Sequence, residues 1–103
     1  MKLQIEWSKP VLLKDARHQN LIYFTDINQL PNAQGIYIFG RRYRNQFEAL
    51  YVGKANKIRG RVKSHFNNLQ LMQHLKNAKS GKRIVLAGKI LTRPGSNLQN
   101  VFD

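Results

Sequence analysis

Residues 35–53 read Gly-Ile-Tyr-Ile-Phe-Gly-Arg-Arg-Tyr-Arg-Asn-Gln-Phe-Glu-Ala-Leu-Tyr-Val-Gly. Two runs of β-branched and aromatic residues, 35–40 and 49–53, are bounded by glycines and separated by a polar stretch, 41–47. Bulky side chains suit a pleated surface and the polar stretch suits a loop, so the segment predicts a β-hairpin. Side chains alternate along a strand. Pairing the runs puts Tyr37 and Phe39 on one face with Ala49 and Tyr51, and Ile36 and Ile38 on the other with Leu50 and Val52. Both faces are apolar, which predicts a sheet covered on both sides.

Downstream of the hairpin the apolar period changes. Ile58, Val62, Phe66 and Leu69 recur at helical spacing, which predicts a helix over about 57–67 with Asn56 as its cap. Leu71, Met72, Leu75 and Ala78 predict a second helix over 71–79, with Gly81 as its stop. Lys82–Leu91 is rich in apolar residues and reads as a third strand. Pro94 and Gly95 turn the chain, and Ser96 can cap a further helix that reaches Asp103. Upstream, Pro31 and residues 32–35 mark a loop, and residues 1–29 read as an N-terminal extension or edge strands ahead of a domain over 30–103. The predicted class is α+β: a small three-stranded antiparallel β-sheet flanked by helices, in the order β-β-α-α-β-(α).

The charge is lopsided. The 103 residues hold 18 Lys+Arg against 5 Asp+Glu, a formal charge of +13. Such an excess repels itself, so it points to an anionic partner. A membrane is a poor candidate, because no apolar run approaches the roughly 20 residues that span a bilayer. The N-terminus lacks a secretory pattern and cysteine is absent, which fits a cytoplasmic protein. The cations interleave with aromatics in segments that look folded. Arg41, Arg42, Arg44, Lys57, Arg59 and Lys63 are therefore candidates for gripping a nucleic-acid backbone. A solvated basic face is the plainer alternative.

Phosphodiester hydrolysis needs an activated water, a cation to offset charge on phosphorus, and help for the leaving group. Suitable groups lie close together here. Tyr37 and Tyr51 share a sheet face, and Lys54 follows the second strand. Arg61 and His65 are four apart on the first helix, so they lie on one side of it, at the edge of its apolar stripe. Each also has a bland reading. The tyrosines could be strand aromatics under a helix, and Arg61 is one of many cations. His18 and His74 have no evident partners and receive no role.

Taken in order, Gly35-Ile-Tyr37, Tyr51-Val-Gly53-Lys54-Ala55 and Arg61-Val-Lys-Ser-His65-Phe66 resemble the GIY-YIG nuclease superfamily, which includes the nuclease module of UvrC repair proteins and homing endonucleases. The resemblance implies a metal-dependent DNA endonuclease domain. It implies Tyr37 as general base or water-positioning group, Tyr51 as orienter of water or phosphate, and Arg61 as stabiliser of the phosphorane. It makes His65 a proton shuttle or phosphate ligand, and Lys54 the cation that favours a tyrosinate. Gly35 and Gly53 are implied to permit close backbone approach. Gly60 either admits a close neighbour or is merely tolerated.

The resemblance also implies Mg2+ or Mn2+ held by a glutamate on the helix after the third strand. No Glu follows Glu48, and Asp103 is the only later carboxylate. Either the glutamate lies beyond Asp103, the reading favoured here, or the domain has kept binding and lost catalysis. In both cases the chain as it stands is expected to cut poorly. The expected partner is DNA, with RNA left open; the alternative function is an inactive basic nucleic-acid-binding module. A phosphate grip predicts that log K falls linearly with log salt, by about 0.9 per phosphate neutralised on duplex DNA. A titration across salt concentrations checks this, and a flat response rejects the grip.

Overall fold

In the computed structural model, which describes residues 4–16 and 21–91, the hairpin strands run through the stretch expected to be a loop. The elements are β1 (Gln4–Trp7), β2 (Val11–Leu12), β3 (Lys14–Asp15), β4 (Tyr23–Phe24), β5 (Gly35–Tyr43), β6 (Gln46–Ala55), α1 (Ile58–His65), α2 (Leu69–Lys76) and β7 (Lys82–Leu91). A short 3-10 turn spans Ile27–Gln29. Only Arg44 and Asn45 link β5 to β6, because Tyr43 pairs with Gln46 and Arg42 with Phe47. The polar stretch thus continues the ladder, with Arg41 opposite Glu48 and Arg42 opposite Phe47.

The main sheet is antiparallel in the order β1-β7-β5-β6, with β2 also on β7. It has five strands where three were expected. The additional two come from the N-terminal stretch, which pairs along β7 as a broken edge strand: β1 against residues 88–91 and β2 against 84–85. At the break the Ser8 hydroxyl accepts from Ala87 N at 3.1 Å, while Ser8 N donates to Ala87 O at 2.7 Å. β3 and β4 form a separate two-stranded ribbon.

Both described helices pack on the Tyr37–Phe39 face. Ile58, Val62 and Phe66 of the first helical stripe and Leu71, Met72 and Leu75 of the second close over Tyr37, Phe39, Val85 and Ala87. The two-sided cover expected from the sequence is not met among the described residues. Ile36 and Ile38 on the other face are only half-buried, and Val52 beside them is 58% exposed. Leu50 also departs from expectation. The register slips between Phe39↔Tyr51 and Gly40↔Ala49, leaving Leu50 as an extra residue in β6. A bulge of this kind reverses the alternation. Leu50 therefore turns toward the helices and packs on the core, and Ala49 takes the other face.

The helix ends differ from the pattern too. Lys57, without a side-chain cap bond, stands at the N-cap of α1. Asn56 instead accepts from Gln34 Nε2 at 2.9 Å, tying β6 to the loop before β5. Asn68 caps α2, accepting from Leu71 N at 3.1 Å, so Leu69 starts the helix and lies exposed, outside the stripe. Gly81 has φ 143°, a value that favours glycine, but it lies in the turn into β7, past the end of α2. The helix expected from Ser96 to Asp103 lies outside the described residues.

The carbonyls at the end of α2 are capped by an arginine. Arg83 is buried, and it donates to Leu75 O at 2.6 Å, Gly81 O at 2.7 Å and Ala78 O at 2.8 Å. The negative end of the helix dipole favours a cation there. Arg83→Met removes all of these bonds. It is expected to destabilise the fold by about 3 kcal/mol, the upper value for a hydrogen bond to a charged group. Urea unfolding that matches wild type refutes this role.

Candidate active site

Tyr37 sits mid-strand in β5, with its ring buried beneath α1. Gly53 faces it across the hairpin, and a Cβ at Gly53 would collide with the Tyr37 Cζ and hydroxyl. The glycine is thus the seat of the tyrosine ring. Gly35 is confined in a similar way, between the Gly88 carbonyl and Ile58 Cδ1. Gly60 faces open space, so the structure favours simple tolerance there.

The last residue of α1, His65, comes down onto this ring. Tyr37 OH and His65 Nε2 are 2.6 Å apart, a short hydrogen bond. Tyr51, on the edge strand β6, completes the group; its ring centroid lies 6.2 Å from Tyr37 and 5.2 Å from His65. Phe39 forms the floor, edge-on to His65 at 5.9 Å. Phe39 had no assigned role, although its parity with Tyr37 along the strand marks it as part of the same face.

Arg61 lies one turn before His65, exposed, and acts electrostatically on both partners. Burial, and then Tyr51, push the Tyr37 phenol above its ordinary value; Arg61 pulls it down and is outweighed. The expectation that nearby cations favour a tyrosinate is therefore reversed, and Tyr37 is a phenol at neutral pH. Burial, and then Arg61, push His65 below its ordinary value, so the imidazole is neutral there as well.

The structure brings Tyr37, Tyr51, Arg61 and His65 together, but roots Lys54 elsewhere. Lys54 pairs with Ile36, so its stem leaves β6 on the face away from the tyrosines. Two of the proposed grip residues also hold the fold. Arg59 donates to Leu30 O at 2.7 Å and Asn28 O at 3.1 Å, pinning the loop before β5. Arg41 bridges Glu48 at 2.8 Å and donates to Ser80 O at 2.8 Å. Arg42, Arg44, Lys57 and Lys63 are exposed.

The divalent cation implied by the resemblance does not fit the described donors. They contain no group of three or more His, Cys, Asp or Glu that could hold a metal. Hard cations need carboxylate oxygens. Glu48 is paired with Arg41, Asp26 caps the 3-10 turn, and Glu6 lies opposite Lys89 on the far edge of the sheet. Asp103 lies outside the described residues. No described helix is long and apolar enough to cross a membrane.

No family model matches the chain, and no solved structure matches it. Two curated proteins are similar. UvrABC system protein C of Chlorobium phaeobacteroides is 36% identical over 64 residues, which is 62% of this chain and 9% of that protein. UvrABC system protein C of Synechocystis sp. is 43% identical over 44 residues, 43% of this chain and 6% of that protein. The chain thus spans less than a tenth of the length of either relative. The similarity is consistent with a GIY-YIG-like chain and a nuclease-type role.

The electrostatics can be checked directly. In an NMR titration His65 should protonate below the ordinary histidine value of about 6.5. Arg61→Gln removes a repelling charge and should move that midpoint upward. A His65 midpoint at or above the ordinary value contradicts the arrangement.

Proposed function

We propose that this chain is a nuclease domain that hydrolyses phosphodiester bonds in DNA. The observation that carries the reading is the short Tyr37–His65 hydrogen bond beside Arg61, on a strongly basic domain similar in part to UvrABC system protein C. Tyr37 alone is a weak base, since its proton is held more tightly than usual. His65 is neutral and its Nε2 is within reach. With His65 carrying its proton on Nδ1, Tyr37 donates to Nε2 and turns a lone pair outward. As a water attacks phosphorus, its proton passes to the Tyr37 oxygen and the Tyr37 proton passes to His65. Arg61 offers a fork of donors to the oxygens on which charge develops. Tyr51, partly exposed at the sheet edge, orients the water or a phosphate oxygen.

Magnesium or manganese remains the cofactor the resemblance implies. Because the described donors do not fit it, no step is assigned to it. Lys54 and Arg59 have no catalytic part in this mechanism.

The test is nicking of supercoiled plasmid by the protein, with any residues its gene encodes beyond Asp103, in magnesium or manganese. Tyr37→Phe and His65→Gln each break the relay and should lower the rate by about 10²–10⁴-fold. Arg61→Ala should lower it by about 10²–10³-fold. The nuclease reading fails if wild type never nicks, or if all three variants nick as fast; binding without nicking leaves the inactive binding module. The acid limb has a definite sign. Activity needs neutral His65, whose folded value is depressed, so the rate should hold below pH ~6.5 and fall as the pH drops through the lower folded value. An acid limb above the ordinary histidine value rejects His65 as the proton acceptor.

A further inference from the structure

The tip of the β5–β6 hairpin carries features that the proposed cutting site does not use. Tyr43 is 45% exposed, and the Arg44 guanidinium carbon lies 5.3 Å from the centre of its ring. Arg44 has φ 56°, in the left-handed region where a Cβ is strained. A tight hairpin prefers glycine or asparagine at such a position. An arginine held there against its preference, and stacked on its neighbour, is an outlier of the kind that accompanies function.

The surroundings fit a polyanion. Arg42 and Lys82 pair across β5 and β7, both exposed. The nearby carboxylate, Glu48, is neutralised by Arg41 at 2.8 Å and lies within electrostatic reach of Lys79. Gln46, directly opposite Tyr43, helps line an open hollow of about 390 Å³ with Arg41, Phe47 and Glu48. That volume lies within the usual range of ligand clefts, roughly 300–1,000 Å³. Tyr43 is six residues from Tyr37 on the same face of a regular strand, a separation of about 20 Å at ~3.3 Å per residue.

We propose that Tyr43, braced on one side by Arg44, is a stacking platform for a base of single-stranded DNA. A base offers its flat face only when it is unstacked, so a protein aromatic of this kind selects single strands over duplex. The arginine occupies one side of the ring and stiffens it; a base takes the other. Arg44, beside the ring, attracts the backbone; Arg42 and Lys82, on the opposite face of the sheet, add only longer-range attraction. Resting on the nuclease reading, a second consequence follows. At the stacked duplex spacing of about 3.4 Å per nucleotide the ~20 Å separation would span about six nucleotides, and an unstacked strand spans it with fewer, so the platform lies within about six nucleotides of the phosphate at Tyr37. The preferred substrate then has an unpaired stretch beside the cut.

Fluorescence anisotropy tests the platform without metal and without cutting, using labelled dT15 and a mixed-sequence 15-bp duplex. Tyr43→Ala should weaken dT15 binding about tenfold, the loss of one stacked base, and leave duplex binding near wild type. Tyr43→Phe should bind as wild type does. Arg44→Gly should lower the slope of log K against log salt by about one for lost phosphate contact. Its thermal midpoint should hold or rise, because glycine is unstrained at positive φ. Wild-type dT15 binding by Tyr43→Ala, or an equal loss for dT15 and duplex, overturns the platform. Tyr43-dependent dT15 binding by a protein that leaves plasmid intact supports the platform while defeating the nuclease reading. Where the protein cuts, faster cleavage of a substrate unpaired within about six nucleotides of the cut should depend on Tyr43; equal rates for Tyr43→Ala overturn the substrate preference.

Discussion

The contact between Tyr37 and His65 is the constraint on which the rest depends. A phenol hydroxyl taken out of water must find a partner, or its burial costs free energy. His65 Nε2 supplies that partner at 2.6 Å. The requirement fixes the last turn of α1 over β5, and with it the placement of Ile58, Val62 and Phe66 against the sheet. Gly53 is part of the same constraint, since any side chain there would strike the ring. The motif residues are therefore a packing solution as well as a chemical one. A change that loosens the packing should also disturb the proton pair.

The positive charge resolves into cations with different work. Arg83 closes the end of α2, Arg59 holds the loop at Asn28 and Leu30, and Arg41 ties Glu48 to Ser80. These arginines bond mainly to carbonyls. The chain has only 5 acidic residues for 18 Lys+Arg, so most of its cations cannot find a carboxylate. A planar fork suits a cluster of carbonyls better than an ammonium does. The exposed cations that remain for a polyanion include Arg42, Arg44, Lys57, Lys63 and Lys82, with Arg61 at the proposed site. A net charge of +13 thus overstates the grip.

Much of this was legible in the sequence, for physical reasons. Alternation and helical period follow directly from burial, so the hairpin, the bounds of β7 and the buried stripe Leu71–Met72–Leu75 were readable. The spacing of Arg61 and His65 placed both on one side of α1. Other features had no local signal. The bulge at Leu50 has no glycine on its own strand, and Gly40 across the slip reads in the sequence as a strand end. The capping role of Arg83 depends on where α2 ends in space, and Asn56 chose Gln34 over the helix because β5 brings that residue near. The pairing of residues 4–12 with β7 is a contact across the whole chain. Lys54 was readable and misplaced: its parity with Val52 already put it on the other face.

In the proposed mechanism the proton pair works only as two residues together. Burial and Tyr51 hold the Tyr37 proton too firmly for it to act as a base alone. His65 is held neutral by burial and by Arg61, so it can take a proton, yet its Nε2 is already occupied by the phenol. Linked through one short hydrogen bond, each supplies what the other lacks. Arg61 has opposing effects on the two. It eases proton loss from Tyr37 and also resists proton gain by His65. If a phosphate binds at Arg61, its negative charge offsets the guanidinium. The repulsion on His65 then weakens, and the imidazole becomes a stronger base when substrate is present. On this electrostatic argument, the site is poised for proton transfer by the group it would cut.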